Sequence, residues 1–153
     1  MDSFIIFCAK YLIVAPVGAL LAYARYAGVV MAKKIALELA LALPLAYVLA
    51  RIAGLFFYHE QPFAVYDFEP LFPHVIDNAF PSDHMLFASV FAVVAHLRHR
   101  ALGLSLWAFA ALVGIARIAV GLHYPEDLVA SAVIAVAAVY AARYLLAAYA
   151  KLR

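Results

Sequence analysis

Residues 35–58 read IALELALALPLAYVLARIAGLFFY, a run in which Glu38 and Arg51 are the only charges. At 1.5 Å per residue such a helix is longer than the roughly 30 Å of a bilayer's hydrocarbon core, so the run is expected to span a membrane. Pro44 should bend it locally, which membrane helices tolerate when neighbours re-satisfy the freed carbonyl. Working outward, comparable apolar segments occupy residues 4–23, 82–97, 102–120 and 126–147. The composition agrees, since 70% of the 153 residues are hydrophobic and 13% are charged, against roughly 45–50% and 25% in soluble domains. A water-soluble globule is excluded. The chain is predicted to be an all-α polytopic membrane protein, one transmembrane domain over residues 1–153 built as a bundle of about five transmembrane helices. Its start, MDSF, lacks the positive region of a cleaved signal peptide, so the first segment is expected to be a permanent helix. Alanine in the last segment suits close helix packing.

An odd number of spans puts the termini on opposite sides, and the basic residues orient them. Arg25, Lys33, Lys34, Arg98, Arg100, Arg143, Lys151 and Arg153 all fall on one face. The loops of the other face hold Asp2, Glu60, Asp67, Glu69, Asp77 and Asp83 and neither lysine nor arginine. The positive-inside rule makes the basic face, with the C-terminus, cytoplasmic, and places residues 59–81 outside a plasma membrane. A net charge of +2, distributed this way, gives no case for a nucleic-acid partner. Lys10, Arg51 and Arg117 lie within spans toward the outer end, where an ionisable group either snorkels to the interface or faces a cavity. Glu38 is expected to pair with Lys34, one turn before it, or to sit at the interface. Cys8 reads as a small buried apolar side chain.

The outward segment 59–80 is broken by Pro62, Pro70 and Pro73 and carries Phe63, Tyr66, Phe68, Leu71 and Phe72 among acids. That mixture fits an extracytoplasmic element lying in the headgroup layer. The next residues are Phe80-Pro81-Ser82-Asp83-His84. Pro81 suits the first position of a helix whose free N–H groups and dipole attract an anion; Ser82 adds a hydroxyl, and His84 could protonate a leaving oxygen. The fourth segment ends Arg117-Ile-Ala-Val-Gly121-Leu-His123-Tyr-Pro125-Glu-Asp127. A continuous helix would put Arg117 and His123 on different faces, but Gly121 and Pro125 predict a break. Asp127 in the first turn of the last helix is then placed to accept a hydrogen bond from His123 and to expose the other ring nitrogen as a nucleophile. Two histidines, an arginine, a serine and an aspartate at the ends of three helices read as a phosphoryl-transfer site. A metal site is disfavoured because His59 and His74 are not at ligand spacing and paired carboxylates are missing. His96 and His99 fall on the cytoplasmic side.

These residues resemble the type 2 phosphatidic acid phosphatase family, whose three motifs are K-x6-R-P, P-S-G-H and S-R-x5-H-x3-D. The second is similar to Pro81-Ser82-Asp83-His84 and the third to Ala116-Arg117-x5-His123-x3-Asp127, and the likeness covers about residues 51–140. The resemblance implies a metal-free, cofactor-free hydrolase of a lipid phosphate or pyrophosphate in the bilayer. His123 would be the phosphohistidine nucleophile, Asp127 its orienter, His84 the general acid and then base, and Ser82, Asp83 and Arg117 would line the phosphate. The first motif departs, with Gln61-Pro62-Phe63 in place of Arg-Pro and Gly54 at the lysine. Arg51 or Lys10 is the expected replacement, with Gln61 beside them. Phe-Pro-Ser-Asp-His and His-Tyr-Pro-Glu-Asp are most similar to the undecaprenyl-diphosphate phosphatases of that family. The alternatives are a phosphatidic acid or phosphatidylglycerophosphate phosphatase, or a non-catalytic lipid-phosphate binder or transporter.

Overall fold

The structure, a computed structural model, describes residues 2–152, so Met1 and the basic Arg153 lie outside the described residues. Seven helices follow in order: α1 (Asp2–Lys10), α2 (Val14–Tyr26), α3 (Val29–Phe56), α4 (Pro62–Val65), α5 (Asp83–His96), α6 (Arg100–Ala119) and α7 (Pro125–Lys151). α3, α6 and α7 are long and apolar enough to cross a membrane, and α1 with α2, bent by 52° between them, passes the same test only when the pair is taken as one broken span. The bend falls where the sequence places Pro16, which has no N–H for the carbonyl of Leu12 and whose ring crowds it. The chain there tightens into three-residue turns, with the N–H of Val14 on Tyr11 O at 3.1 Å and that of Ala15 on Leu12 O at 3.0 Å. α3, by contrast, runs unbroken through Pro44.

The third predicted span, residues 82–97, is α5, 14 residues or about 21 Å long, too short to cross a hydrocarbon core alone. Its role is central. Every residue from Ala88 to Ala95 is buried, because α2, α3, α6 and α7 all pack against it. The surrounding faces use small side chains: Ala42, Ala46 and Ala50 repeat every turn on α3, and Ala135, Ala138 and Ala142 answer on α7. Leu37, Leu55, Ile115, Val129 and Val133 point out of the bundle. In lipid, burial of large apolar groups gives no drive for helix association, so backbones approach through alanine while leucine and valine meet the acyl chains.

At the end bearing the basic residues, Glu38 is 3% exposed. It is ion-paired with Arg98 and stands 3.6 Å from Arg143. This corrects the expected pairing with Lys34. An acid buried between helices needs a cation that is also buried, and Arg98 is, whereas a lysine one turn back reaches only the helix surface. His99 caps α6, its Nδ1 accepting the N–H of Leu102 at 3.1 Å.

At the other end, residues 57–81 form a cover over the bundle. The N–H of Ala79 donates to His59 O at 2.8 Å. Asn78 Oδ1 accepts from His59 N–H, and Asn78 Nδ2 donates to the carbonyls of Gly54 and Phe57. The cover is pinned to the α6–α7 turn by Phe63 N–H on Gly121 O at 3.1 Å. Gly121 is required there, since its φ is +86° and a Cβ would come within 2.5 Å of the Phe68 ring. Phe63 and Phe72 turn inward and pack with Cys8, Ala9, Val120 and Leu122, while Tyr66, Phe68 and Leu71 stay exposed. Only part of the segment's aromatic set is therefore free to meet a headgroup layer.

Candidate active site

Each helix end contributes a reactive group because the chain breaks there. α6 stops at Ala119, Gly121 turns the backbone, and α7 restarts at Pro125 with Tyr124 as its extended cap. The turn folds His123 back over the last turn of α6, leaving His123 Nε2 3.3 Å from Arg117 Nη2. His123 Nδ1 is 2.8 Å from the carbonyl oxygen of Ala79. A carbonyl only accepts, so Nδ1 carries the hydrogen and Nε2 presents its lone pair toward the guanidinium.

α5 begins at Asp83, after the Pro81 that the sequence places in the first helical position. Ser82 is the cap, with ψ of 112°, and Pro81 lies outside the helix; the capping residue must be non-helical, and it is the Ser82 carbonyl that takes the N–H of Leu86 at 2.9 Å. The carbonyl of Ser82 also receives Ser131 Oγ at 2.9 Å, which ties α5 to α7. Ser82 is fully buried, and its Oγ has no hydrogen-bond partner. Arg117 is 5% exposed, its Nε is likewise unpartnered, and among the described residues no carboxylate is within ion-pair distance of it. A buried unpaired guanidinium costs several kcal/mol unless an anion visits it, and an unmatched buried hydroxyl adds to that cost. His84, in the first turn of α5, is close enough to Arg117, His123 and His74 to feel their charge.

Asp127 is fully buried, but its bonds differ from expectation. Its Oδ2 accepts the N–H of Tyr124 at 2.8 Å and stands 3.8 Å from His123 Nδ1, too far for a hydrogen bond. Its Oδ1 is held by His59 Nδ1 at 2.8 Å. The sequence reading gave His59 no chemical part. His74, exposed on the cover, lies near the cluster: partial desolvation first, then the charges of Arg117 and His123, hold its pKa below the usual imidazole range.

The residues named for the missing first motif separate. Arg51, over the Tyr47 ring at 5.1 Å, is ion-paired with Asp83 at the start of α5. Lys10 lies over the Phe72 ring, 4.0 Å from its centroid. Gln61 is buried and accepts the N–H of Asp77 on its Oε1 at 3.1 Å, bracing the cover. A side chain at Gly54 would be crowded: a Cβ there would meet the Phe80 carbonyl at 3.2 Å and Asn78 Nδ2 at 3.4 Å, so these neighbours would have to give by a few tenths of an ångström. Among the described residues no three His, Cys, Asp or Glu side chains converge as metal ligands.

A bundle of apolar helices carrying a buried arginine, unpaired by any acid and beside an imidazole nitrogen, is suited to holding a phosphate group. The profile of the PAP2 superfamily matches residues 35–150, and the chain belongs to that family. It is 33% identical over 136 residues to undecaprenyl-diphosphatase BcrC of Bacillus subtilis, covering 89% of this chain and 70% of that one. It is 37% identical over 97 residues to the bacitracin transport permease protein BcrC of Bacillus licheniformis, covering 63% of this chain and 48% of the relative. The crystal structure of LpxE from Aquifex aeolicus superposes with a TM-score of 0.73 at 26% identity, over 94% of this chain and 85% of that one.

Proposed function

We propose that the chain hydrolyses a lipid pyrophosphate, undecaprenyl diphosphate by its likeness to the Bacillus subtilis relative, to the lipid monophosphate and inorganic phosphate. The observation that carries this reading is the buried Arg117 guanidinium, unpaired by any acid, whose Nη2 donates to the lone pair of His123 Nε2 at 3.3 Å. The terminal phosphate binds with its oxygens on Arg117, on Ser82 Oγ–H and on the free N–H groups of the first turn of α5. His123 Nε2 attacks phosphorus, the bond from phosphorus to the bridging oxygen breaks, and His84 gives that oxygen a proton. His84 then takes a proton from water, whose oxygen attacks the phosphohistidine and releases phosphate with His123 neutral again. Arg51 is the replacement for the first motif that stands at the mouth of α5. Its pair with Asp83 is half-exposed, so an incoming phosphate can draw the guanidinium away from the acid.

The site is read as extracytoplasmic and the C-terminus as cytoplasmic, because Lys33, Lys34, Arg98, Arg100 and Lys151 gather at the helix ends opposite the site. The test is phosphate release from a panel of prenyl diphosphates and glycerolipid phosphates with chelator present, combined with acid-quench trapping of phosphoenzyme. The expected result is release from a prenyl diphosphate and a label that vanishes in His123→Ala. Release confined to glycerolipid phosphates would move the substrate to that class. Binding of the lipid with no phosphate release and no label would leave a binder or carrier instead.

A further inference from the structure

Asp127 belongs to two histidines. His59 Nδ1 donates to Asp127 Oδ1 at 2.8 Å, while His123 Nδ1 stays 3.8 Å from Oδ2 and donates to Ala79 O instead. The two rings are tied a second time through one peptide. Ala79 receives His123 on its carbonyl and gives its own N–H to His59 O at 2.8 Å. His59 also donates its N–H to Asn78 Oδ1, and its ring stands edge-on to Phe80 at 5.3 Å and Tyr124 at 6.2 Å. Its position is therefore fixed on every side but one, a shallow surface cavity of about 240 Å³ that it lines with Tyr58, Glu60, Tyr124 and Glu126.

We propose that His59 is a positioning residue of this phosphatase, holding the Asp127 carboxylate one short step from His123 until the nucleophile becomes charged. The inference rests on the phosphohistidine reading. With the site empty, His123 is neutral and a backbone carbonyl suffices to hold its Nδ1–H. Once Nε2 bonds to phosphorus the ring becomes a cation, for which a carboxylate is a far better partner than a carbonyl. Closing from 3.8 Å to an ordinary hydrogen bond needs a shift of about 1 Å. A fully buried carboxylate can make that shift and stay ionised only if its other oxygen keeps a donor throughout, and His59 is that donor.

Orthovanadate and orthophosphate separate this from a structural role and from the identity of the lipid. Vanadate bonds to the nucleophilic nitrogen and so reproduces the charged ring, whereas phosphate binds without that bond. In full-length protein in detergent, His59→Phe should weaken vanadate by about tenfold, the scale of one hydrogen bond to a charged group. Phosphate affinity should stay within about twofold. His59→Asn, whose amide nitrogen falls near the position of Nδ1, should restore vanadate binding. Because His59 acts through Asp127, His59→Phe should change little once Asp127→Asn is present. Equal weakening of both anions, unchanged vanadate affinity, or additive losses in the double variant would each overturn the proposal. The lipid panel is a separate measurement, so a wrong substrate would leave the vanadate result standing.

Discussion

Arg117 Nη2 lies 3.3 Å from His123 Nε2, although a helix end and a reversal of the chain separate the two residues. The contact follows from Gly121, whose positive φ turns the backbone, and from Pro125, which restarts the helix in a new direction. A phosphate entering between them would meet its charge partner and its nucleophile together.

Replacing that guanidinium should remove transition-state stabilisation. Arg117→Ala is expected to lower kcat by about 10²–10³-fold, the range for deleting one preorganised donor. Arg117→Lys should recover only part of it, since an ammonium cannot present the planar fork. Initial rates of phosphate release at saturating lipid are the measurement. An alanine variant within threefold of the parent would deny Arg117 its role.

The Arg51–Asp83 pair makes an opposite-sign prediction for its two members. Asp83→Gly leaves the guanidinium free for phosphate, so KM should fall by about threefold. Arg51→Ala leaves an acid facing the phosphate, so KM should rise by about tenfold with kcat within twofold. Both effects should shrink in high salt, as the pair is half-exposed. Titrations of rate against lipid mole fraction in mixed micelles read them out.

Glu38 is far from this chemistry but central to the packing of α3, α5 and α7. Glu38→Ala leaves Arg98 buried without its partner and should cost about 3 kcal/mol. Thermal unfolding in detergent should register the loss while phosphate release per folded molecule stays the same.

Two pH effects follow. His123 must be neutral to attack and His84 protonated to donate, so the rate should fall on both sides of an optimum pH; a flat profile would deny one of the two roles. His74 adds a stability term. Its folded pKa is depressed, chiefly by partial desolvation, so on acidification the unfolded chain takes up the proton first. Stability is then complete above the unfolded value of about 6.5 and declines as the pH falls below it. His74→Asn should reduce the drop in thermal midpoint between neutral and mildly acidic buffer.

The membrane character, the helix runs and the break between Arg117 and His123 were legible in the chain because each depends on neighbours in sequence: apolar run length, a glycine and a proline. His84, Ser82 and Arg117 could be picked out for the same reason, each sitting at a helix end marked by local signals. Partnership across helices was decided only by the tertiary structure. His59 meets Asp127 across 68 positions, Arg98 meets Glu38 across 60 and Arg51 meets Asp83 across 32. No local periodicity encodes such pairs, because they depend on which faces of α3, α5 and α7 turn together when alanine stripes pack. A buried acid then takes whichever donor that packing delivers: the carboxylate expected to hold His123 is held by His59, and Glu38 is held by Arg98.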